Sequence, residues 1–448
     1  LHALAPGRYQ ALTPRLEAIR AELETLTDPR SPVAPAAPLI MHLDDLDRDA
    51  ADQTGMKMAN LGELSNRLGL RVPDGFVVTA AAFRRFLAHN ELGSEVRRLI
   101  QIAENKGPQH LYTTSAEIRR LILQAPLPSG LENAIKDACH ELARRQGVEG
   151  PLAVRSSGLN EDRPEASFAG LYHSVLNVSG DGLVNAYREI VAAVYSPAVM
   201  AYRLNLGICE EETPMCVGVI CMVDAVCGGV IYSANPVDSR DSAVVINAAW
   251  GLPKAVVDGT TATDCIQVER HPILRVRSRQ IARQTIRYGC APGEGVRREA
   301  LSPKQRRRAS LTDSQALELA ARAVEIENHY GHPQDIEWAI DRSGEIVFLQ
   351  CRALQLQTEN PRARMVPIDR SELPPVCYRG GATASPGVAA GPVFRVTKEV
   401  EALQFPKGAV LVTDRALPRW AALLPRAAAV VSERGGVTGH LALSLIHI

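Results

Sequence analysis

The sequence has no excess of charge of either sign. Its 448 residues contain 50 Lys and Arg against 50 Asp and Glu, so the formal net charge is zero. A neutral chain has no general attraction to polyanions, so we expect neither nucleic acid nor an acidic membrane surface as a partner. A small molecule is the expected ligand.

The sequence also lacks a long uninterrupted hydrophobic run. Its longest apolar stretch, residues 215–232, contains Asp224 in the middle and a Gly-Gly pair near it. The β-branched residues of this stretch predict two buried strands around a turn and not a membrane helix. No signal peptide opens the chain, which begins at Leu1. We therefore expect a soluble, cytoplasmic protein.

Cysteine pairs of the CxxC type are absent. The nine cysteines are an odd number and are scattered along the chain. This distribution is typical of reduced cytosolic thiols, and it excludes a disulfide framework or a zinc site of closely spaced cysteines.

The common nucleotide-binding signatures are missing as well. The chain contains no GxxxxGK[ST], no GxGxxG and no kinase catalytic loop. A bound nucleotide would therefore have to be recognised in another way.

Composition along the chain predicts two folded regions and two linkers. Residues 1–40 contain a helical pattern and a Pro/Ala linker, and residues 41–356 alternate helical segments with β-branched runs. Residues 357–375 form a second linker, and residues 376–448 contain short strands punctuated by glycines. This pattern predicts an α/β (α+β) protein with a large first domain and a small second one. We interpret the Arg-rich residues 291–310 as a solvated loop.

The first stretch with candidate chemistry is residues 54–79, TGMKMANLGELSNRLGLRVPDGFVVT. Lys57 lies in a glycine-containing turn before a predicted amphipathic helix. A lysine at such a turn can reach a phosphate as a point charge, although a solvent-facing lysine is the alternative.

The second stretch is residues 151–170, PLAVRSSGLNEDRPEASFAG. We predict a strand that ends at Arg155 and is followed by two serines and a polar loop. An arginine with small hydroxyls at a strand end suits a phosphate, because guanidinium binds phosphate oxygens bidentately. An ordinary turn remains the alternative.

The third stretch, residues 333–354, predicts a β-hairpin with its turn at residues 341–344. Strand alternation places Asp335 and Glu337 on one face, and Gln350 and Arg352 on one face of the second strand. If the strands pair, these oxygens could hold Mg²⁺ while the guanidinium takes a phosphate. A surface salt bridge would produce the same alternation.

The fourth stretch is ERGGVTGHLALS, residues 433–444. Two glycines lead into a short apolar run, which predicts a tight turn entering a helix with His440 in its first turn. A helix start favours an anion and a neutral imidazole, so His440 is a candidate nucleophile or an ordinary surface histidine.

Together these stretches resemble the phosphoenolpyruvate synthase and pyruvate phosphate dikinase family, and most closely its synthase branch. The resemblance covers residues 41–440 and rests on motifs that occur in the family's order. They are GMKMANLGEL, VPDGFVVT, AVRSSGLNEDRPEASFAG, GVIYSANPV, AAWGLPKAVVDG, PQDIEWAI, FLQCRAL, ATASPGVAAGPV and GGVTGH.

The resemblance implies a fold, a reaction and site residues. It implies an ATP-grasp nucleotide-binding domain over residues 41–356 and a swivelling phosphohistidine domain of β/β/α type over residues 376–448. ATP would be bound by Lys57, Arg155, Glu337, Gln350 and Arg352, and Mg²⁺ by Glu337 and Gln350 with Asp335 in support. His440 would accept the phosphate and, in a full-length parent, pass it to pyruvate to give phosphoenolpyruvate, AMP and phosphate.

Some residues differ from the family pattern. Pro253 and Lys254 stand where the family usually has Gly and Glu, and Gly439 stands where it usually has Ser or Cys. The family continues into a pyruvate-binding barrel, so we expect a truncated chain that catalyses at most phosphorylation of His440. The alternatives are a phosphotransferase for another small acceptor and a non-catalytic ATP-binding or phosphocarrier module. A homodimer is compatible with each.

Overall fold

The computed structural model describes Arg15 and residues 37–106, 110–159, 161–163, 166–167, 172–206, 214–238, 240–354, 380–381, 383–385, 387–402, 404–434, 441 and 445. The chain divides into two compact units, Leu1–Pro38 and Leu39–Ile448. The second unit contains both predicted domains. Most of the predicted N-terminal helix and the whole predicted linker 357–375 lie outside the described residues.

Strands and helices alternate through the second unit. The strands are β1 (Ile40–His42), β2 (Gly75–Val78), β3 (Leu152–Gly158), β4 (Asp162–Arg163), β5 (Ala166–Ser167), β6 (Ser174–Val178), β7 (Met215–Cys221), β8 (Ala225–Tyr232), β9 (Val244–Trp250), β10 (Asp264–Glu269), β11 (Arg275–Gln280), β12 (Ile286–Cys290), β13 (Val296–Ala300), β14 (Gln334–Asp341), β15 (Ile346–Ala353), β16 (Val393–Arg395), β17 (Ala409–Arg415) and β18 (Ala427–Arg434). The helices are α1 (Ala51–Thr54), α2 (Met56–Asn66), α3 (Ala80–His89), α4 (Leu92–Lys106), α5 (Leu111–Gln124), α6 (Ser129–Gln146), α7 (Leu183–Ala193), α8 (Pro197–Leu206), α9 (Lys254–Val257), α10 (Asp313–Tyr330) and α11 (Glu399–Ala402).

The first large sheet has the strand order β1-β2-β7-β3-β6, and all its pairs are antiparallel. Phe76 and Val78 of β2 pack into a core shared with helices α3 to α7, whereas Val77 packs into a second core beneath α2. Successive side chains of a strand point to opposite faces, so this sheet is buried on both faces. That burial explains why β2 and β7 are apolar without interruption.

The second large sheet has the order β11-β10-β9-β8-β14-β15 and is also antiparallel. Helix α10 packs on one face through a core that includes Ile326, Ile336 and Trp338. The helix begins at a capping box made by Thr312 and Gln315 and ends at Gly331 in the left-handed conformation. The opposite face of the second sheet turns towards the first sheet.

The apolar stretch 215–232 connects the two large sheets. It forms two buried strands around a short connection, as the sequence predicts, but β7 belongs to the first sheet and β8 to the second. The interpretation of residues 291–310 as a loop is wrong in part, because Val296–Ala300 is strand β13 and pairs with β12.

A parallel sheet of order β16-β17-β18 forms the C-terminal part of the unit. Its core includes Phe405, Leu411, Trp420 and Leu424, all of them buried. Two of the short strands predicted within residues 376–448 are confirmed as β17 and β18. The mixed α/β class predicted from the sequence is therefore confirmed.

None of the helices in the described part of the chain combines the length and the hydropathy needed to cross a bilayer.

Candidate functional site

A cleft of about 520 Å³ lies between the two large sheets. Its walls come from α2, β3, β6, β7, β14, β15 and the segment around α9. Five of the seven side chains singled out from the sequence line it, namely Lys57, Arg155, Glu337, Gln350 and Arg352. The volume lies within the range of pockets that enclose a small-molecule ligand.

Arg155 reaches from the first sheet across the cleft to the second. One terminal nitrogen, Nη2, donates to Oε2 of Glu337 at 2.7 Å and to Oε1 of Gln350 at 2.8 Å. The other, Nη1, donates to the carbonyl oxygen of Leu349 at 2.9 Å. The side chains of Arg155 and Glu337 are only 15% and 12% exposed. This cation therefore holds the two walls together in a largely dehydrated setting.

The strand that carries Arg155 is longer than the sequence predicts. The prediction that it ends at Arg155 is wrong, because β3 continues to Gly158 and pairs with β7 over residues 156–158. Ser156 and Ser157 are buried as strand residues and do not form an open turn. The Ser157 hydroxyl instead accepts a hydrogen bond from the backbone N–H of Met58 at 3.3 Å. Ser157 therefore ties α2 to the strand that carries Arg155.

The hairpin β14–β15 has the register expected from strand alternation. Glu337 lies opposite Gln350, and Asp335 lies opposite Arg352. Asp341 at the turn accepts hydrogen bonds from the N–H groups of Ser343 and Glu345. The predicted hairpin and the convergence of its four polar side chains are thus present in the structure.

Asp335 differs from the other predicted residues because it is not part of the cleft wall. Its Oδ2 accepts hydrogen bonds from Nε of Arg352 at 2.9 Å and from Nη2 at 2.6 Å. Their side chains are 5% and 11% exposed, respectively. In this arrangement Asp335 fixes the guanidinium of Arg352 at the edge of the cleft.

Lys57 lies in the second position of helix α2 and not in a turn. The prediction that this helix is amphipathic is wrong, because all of residues 58–64 are buried. The Lys57 ammonium forms an ion pair with Glu161, whose side chain is 1% exposed. Glu161 also accepts a hydrogen bond from the N–H of Gly158 at 3.3 Å. A buried carboxylate therefore keeps Lys57 at the cleft.

Gly55 allows α2 to begin directly against β3. Its φ and ψ are 76° and 152°, which is a region that only glycine adopts readily. A Cβ at this position would lie 2.1 Å from the carbonyl oxygen of Ser157 and 2.4 Å from its Oγ. The absence of a side chain at Gly55 thus sets the distance between Lys57 and the strand of Arg155.

Glu337 and Gln350 present the types of oxygen that Mg²⁺ prefers, a carboxylate and an amide carbonyl. Within the described residues no group of three or more His, Cys, Asp and Glu side chains could hold a metal by itself. Magnesium is, however, commonly bound by one or two protein oxygens together with the phosphates of a substrate. The pair Glu337 and Gln350 fits that manner of binding once Arg155 no longer occupies both oxygens.

Two of the residues that depart from the family pattern, Pro253 and Lys254, lie at another corner of the cleft. Pro253 precedes α9 and Lys254 begins it, and both line the cleft. Nζ of Lys254 lies 2.7 Å from Oδ2 of Asp258. Asp258 and Thr260 line the cleft as well. This corner is polar and distinct from the hairpin that carries Glu337.

The remaining titratable groups of the wall are shifted towards their neutral forms. Burial raises the pKa of the Cys221 thiol to about 11 and raises the pKa of the Tyr172 hydroxyl. Desolvation lowers the pKa of the His173 imidazole, which favours its uncharged form at neutral pH. The fixed charges of the cleft therefore come mainly from the hairpin, Arg155, Lys57 and the α9 corner.

His440, the candidate nucleophile, lies outside the described residues, as does Gly439. The segment after β17 belongs to the same C-terminal region and is described. Leu417 from this segment lines the cleft. The C-terminal region thus contacts the same cleft that the candidate phosphate ligands line.

Among the polar residues that sequence reasoning missed are Glu161, which pairs with Lys57, and Asp258 and Thr260, which line the cleft. Glu161 lies inside a stretch that was singled out, where its position six residues after Arg155 was a usable signal. Asp258 and Thr260 belong to the GLPKAVVDG segment, whose differences from the family pattern drew attention only to Pro253 and Lys254.

The fold and the site together define a class of protein. A cleft between two antiparallel sheets that is lined by Lys57, Arg155 and Arg352 is suited to a small polyanion such as a nucleotide phosphate chain. The chain thus belongs to the α/β proteins whose ligand cleft is lined by cationic side chains.

Comparison with known families narrows this class. Residues 51–372 match the family described as pyruvate phosphate dikinase, AMP/ATP-binding domain. The chain belongs to this family. Residues 405–445 match a second family, described as PEP-utilising enzyme, mobile domain. The predicted family, with a nucleotide-binding domain ahead of a mobile domain, is confirmed.

Curated relatives are named phosphoenolpyruvate synthase. The chain is 34% identical over 430 residues to that of Escherichia coli (strain K12), a match that covers 91% of this chain and 53% of the relative. It is 33% identical over 442 residues to the enzyme of Aeropyrum pernix, and this match covers 90% of this chain and 53% of the relative. It is 32% identical over 446 residues to the enzyme of Pyrococcus furiosus, and this match covers 90% of this chain and 54% of the relative. The chain spans about half the length of these relatives.

Proposed function

We propose that this chain carries out the ATP half-reaction of a phosphoenolpyruvate synthase-type phosphotransferase. The observation that carries the proposal is the contact of Arg155 with Glu337 and Gln350 across the cleft. It brings one phosphate-binding cation and two oxygen ligands to the same point. Membership of an AMP/ATP-binding family and the names of the relatives support ATP as the polyanion.

In this proposal the cationic side chains bind the phosphates of ATP. Arg155 and Arg352 supply guanidinium groups, which match the geometry of phosphate oxygens, and Lys57 supplies a point charge. Asp335 is a positioning residue, because its two hydrogen bonds from Arg352 fix that guanidinium. Glu161 positions Lys57 in the same way.

Glu337 and Gln350 would hold Mg²⁺ together with the phosphates. The metal would offset the negative charge that develops on the transferred group. The chain's own contribution is to keep these two oxygens side by side on paired strands, which prepares their geometry before the nucleotide binds.

His440 is the proposed acceptor. A ring nitrogen forms a bond to the β-phosphorus, and the bond between that phosphorus and the bridging oxygen of AMP breaks, so that AMP leaves with the electron pair. Water then releases the γ-phosphate as inorganic phosphate, and one phosphoryl group remains on the histidine. This sequence accounts for AMP and phosphate as products of one ATP.

Residues 41–356 are proposed as the nucleotide domain and residues 376–448 as the mobile domain that carries His440. The proposed final acceptor is pyruvate, in line with the names of the relatives. We assign no pyruvate site to the residues of this chain, so the activity proposed for it is phosphorylation of His440.

The test is incubation of the purified chain with Mg²⁺ and ATP labelled at the β-phosphate. We expect acid-labile, base-stable label on the wild type and on the control His89→Ala, whose imidazole lies in the last turn of α3. His440→Ala should remain unlabelled. Equal labelling of His440→Ala would contradict the assignment of the acceptor.

Binding of ATP is measured in parallel by calorimetry. Binding without label in the wild type would contradict the half-reaction and would favour a non-catalytic ATP-binding module. Label without transfer to added pyruvate is the expected result for this chain. Transfer to pyruvate would contradict the restriction of its activity to phosphorylation of His440.

A further inference from the structure

The α9 corner of the cleft contains polar groups that the proposed phosphate site does not use. Lys254 and Asp258 stand one helical turn apart, and Nζ of Lys254 lies 2.7 Å from Oδ2 of Asp258. The N–H of Asp258 donates to the carbonyl oxygen of Lys254 at 2.9 Å, which fixes the backbone of this turn. In the described part of the chain, Oδ1 of Asp258 receives no hydrogen bond. One carboxylate oxygen is thus held by Lys254, and the other is available to a ligand.

A second group at this corner is a buried hydroxyl without a partner. The Oγ1 atom of Thr260 is inaccessible to solvent and makes no hydrogen bond within the described residues. Its backbone is fixed, because the N–H of Thr260 donates to the carbonyl oxygen of Ala255 at 3.2 Å. Thr260 lines the cleft. A buried polar group without a partner is unfavourable, so a ligand hydroxyl at this point would be stabilising.

The position of this corner relative to the phosphate site follows from the sheet. Helix α9 packs on β8 and β9, whereas Glu337 is on β14 and Gln350 on β15. In the strand order β9-β8-β14-β15 the two lie one to three strands apart. At about 4.8 Å per strand this is roughly 5–15 Å. A nucleotide with its phosphates at the hairpin therefore extends its nucleoside towards α9.

The wall near α9 also suits a nucleoside. Leu252 and Val257 line the cleft beside Asp258, and Met222 and Val223 line it as well. These side chains offer an apolar surface to a base, while Asp258 and Thr260 offer polar groups to hydroxyls. A carboxylate is a frequent partner of ribose in nucleotide sites, because it accepts hydrogen bonds from both the 2′- and the 3′-hydroxyl.

We infer that Asp258 and Thr260 form a ribose subsite, in which the carboxylate accepts hydrogen bonds from the 2′- and 3′-hydroxyls and Lys254 holds the carboxylate in place. This inference rests on the proposed function, since it takes the ligand to be ATP. It predicts that the cleft selects ribonucleotides over nucleotides that lack sugar hydroxyls. Lys254, which holds the carboxylate, is one of the residues that depart from the family pattern.

The experiment compares the dissociation constants of ATP and 2′,3′-dideoxy-ATP, both with Mg²⁺, by calorimetry. The wild type should bind ATP about 10- to 100-fold more tightly, the range expected for a hydrogen bond to a charged group. In Asp258→Ala the affinity for ATP should fall to about that for dideoxy-ATP, whose own affinity should change little. Thr260→Val should reduce the preference by a smaller factor. The control Asp238→Asn removes an exposed carboxylate elsewhere and should leave the preference unchanged.

Several results would overturn the inference. One is a wild type that binds both nucleotides equally well. Another is an Asp258→Ala variant that weakens both to the same extent, because the carboxylate would then act on the shape or charge of the cleft and not on the sugar. The proposed function fails separately, if the wild type binds no adenine nucleotide or leaves His440 unlabelled. Binding and labelling without sugar preference would refute the ribose subsite alone.

Discussion

Removal of the Arg155 guanidinium should both destabilise the protein and free the oxygens of the proposed metal site. In Arg155→Met the three hydrogen bonds to Glu337, Gln350 and Leu349 are lost while most of the apolar stem remains. Both members of the ion pair are at least 85% buried by side chain. Loss of one partner leaves the Glu337 carboxylate in a dehydrated wall without its main cation.

The expected loss of stability is about 3–5 kcal/mol, the range found when one partner of a buried ion pair is removed. The double variant Arg155→Met/Glu337→Gln should recover much of this loss, because no buried carboxylate then remains at that position. Arg145→Met is the matched control. Arg145 pairs with Asp44 and Glu141 at the surface, so its loss should cost less than about 1 kcal/mol.

The same substitution should change the response to metal ions. Without Arg155 the oxygens of Glu337 and Gln350 become available, so Arg155→Met should bind Mn²⁺ or Mg²⁺ in the absence of nucleotide more tightly than the wild type does. A free metal concentration ten times the dissociation constant adds roughly 1.4 kcal/mol of stability. Glu337→Gln in the same background should remove this gain.

Urea unfolding followed by circular dichroism, with and without Mg²⁺, measures the stabilities, and Mn²⁺ titration by electron paramagnetic resonance measures binding. A loss below about 1 kcal/mol in Arg155→Met would refute the view of Arg155 as a buried counter-ion. Equal Mn²⁺ affinity of the variant and the wild type would refute the view that its guanidinium occupies the metal ligands.

Three further predictions concern the walls of the cleft. Lys57→Met should cost about 3–5 kcal/mol in urea unfolding because it leaves Glu161 without its ammonium partner, and Lys57→Met/Glu161→Gln should cost clearly less. Gly55→Ala should lower the stability by at least about 2 kcal/mol and weaken ATP binding, because its Cβ would overlap Ser157. Alkylation of Cys221 should be slow at pH 7 and rise about tenfold per pH unit towards its pKa of about 11, and ATP should protect the thiol.

Each of these has a control within the chain. Lys136 and Glu132 form an exposed pair, so Lys136→Met should change stability by less than about 1 kcal/mol. Gly69 also has a positive φ, of 63°, but no atom lies within 4 Å of a Cβ built there, so Gly69→Ala separates backbone strain from overlap. Equal effects at Gly55 and Gly69 would argue against the close approach to Ser157. A Cys221 labelling rate at pH 7 equal to that of a free thiol would contradict its raised pKa.

The hairpin β14–β15 could be predicted from the sequence because all its information is local. Asp335 and Glu337 stand two positions apart on one strand, as Gln350 and Arg352 do on the other, and the turn residues lie between the strands. Once the turn is fixed, the register follows, and with it the proximity of Glu337 to Gln350. The same applies to the buried strands β7 and β8, whose existence depends only on their own residues.

Contacts between distant segments could not be predicted in this way. Nothing near Arg155 indicates that β3 pairs with β7 as far as Gly158, so the end of that strand was misplaced. Lys57 and Glu161 are 104 positions apart, and no periodic pattern connects them. The assignment of β7 and β8 to different sheets likewise depends on partners elsewhere in the chain. The family resemblance pointed to five side chains that the structure brings to one cleft, without showing which of them bind each other.

The short connection between β7 and β8 limits how the two halves of the molecule can move. Residues 222–224 are all that separates the last residue of one sheet from the first residue of the other. A chain extends by at most about 3.6 Å per residue, so Cys221 and Ala225 can never be more than roughly 14 Å apart. The two sheets can therefore separate only by a hinge rotation about residues 222–224. Arg155, whose hydrogen bonds join the sheets across the cleft, opposes this rotation.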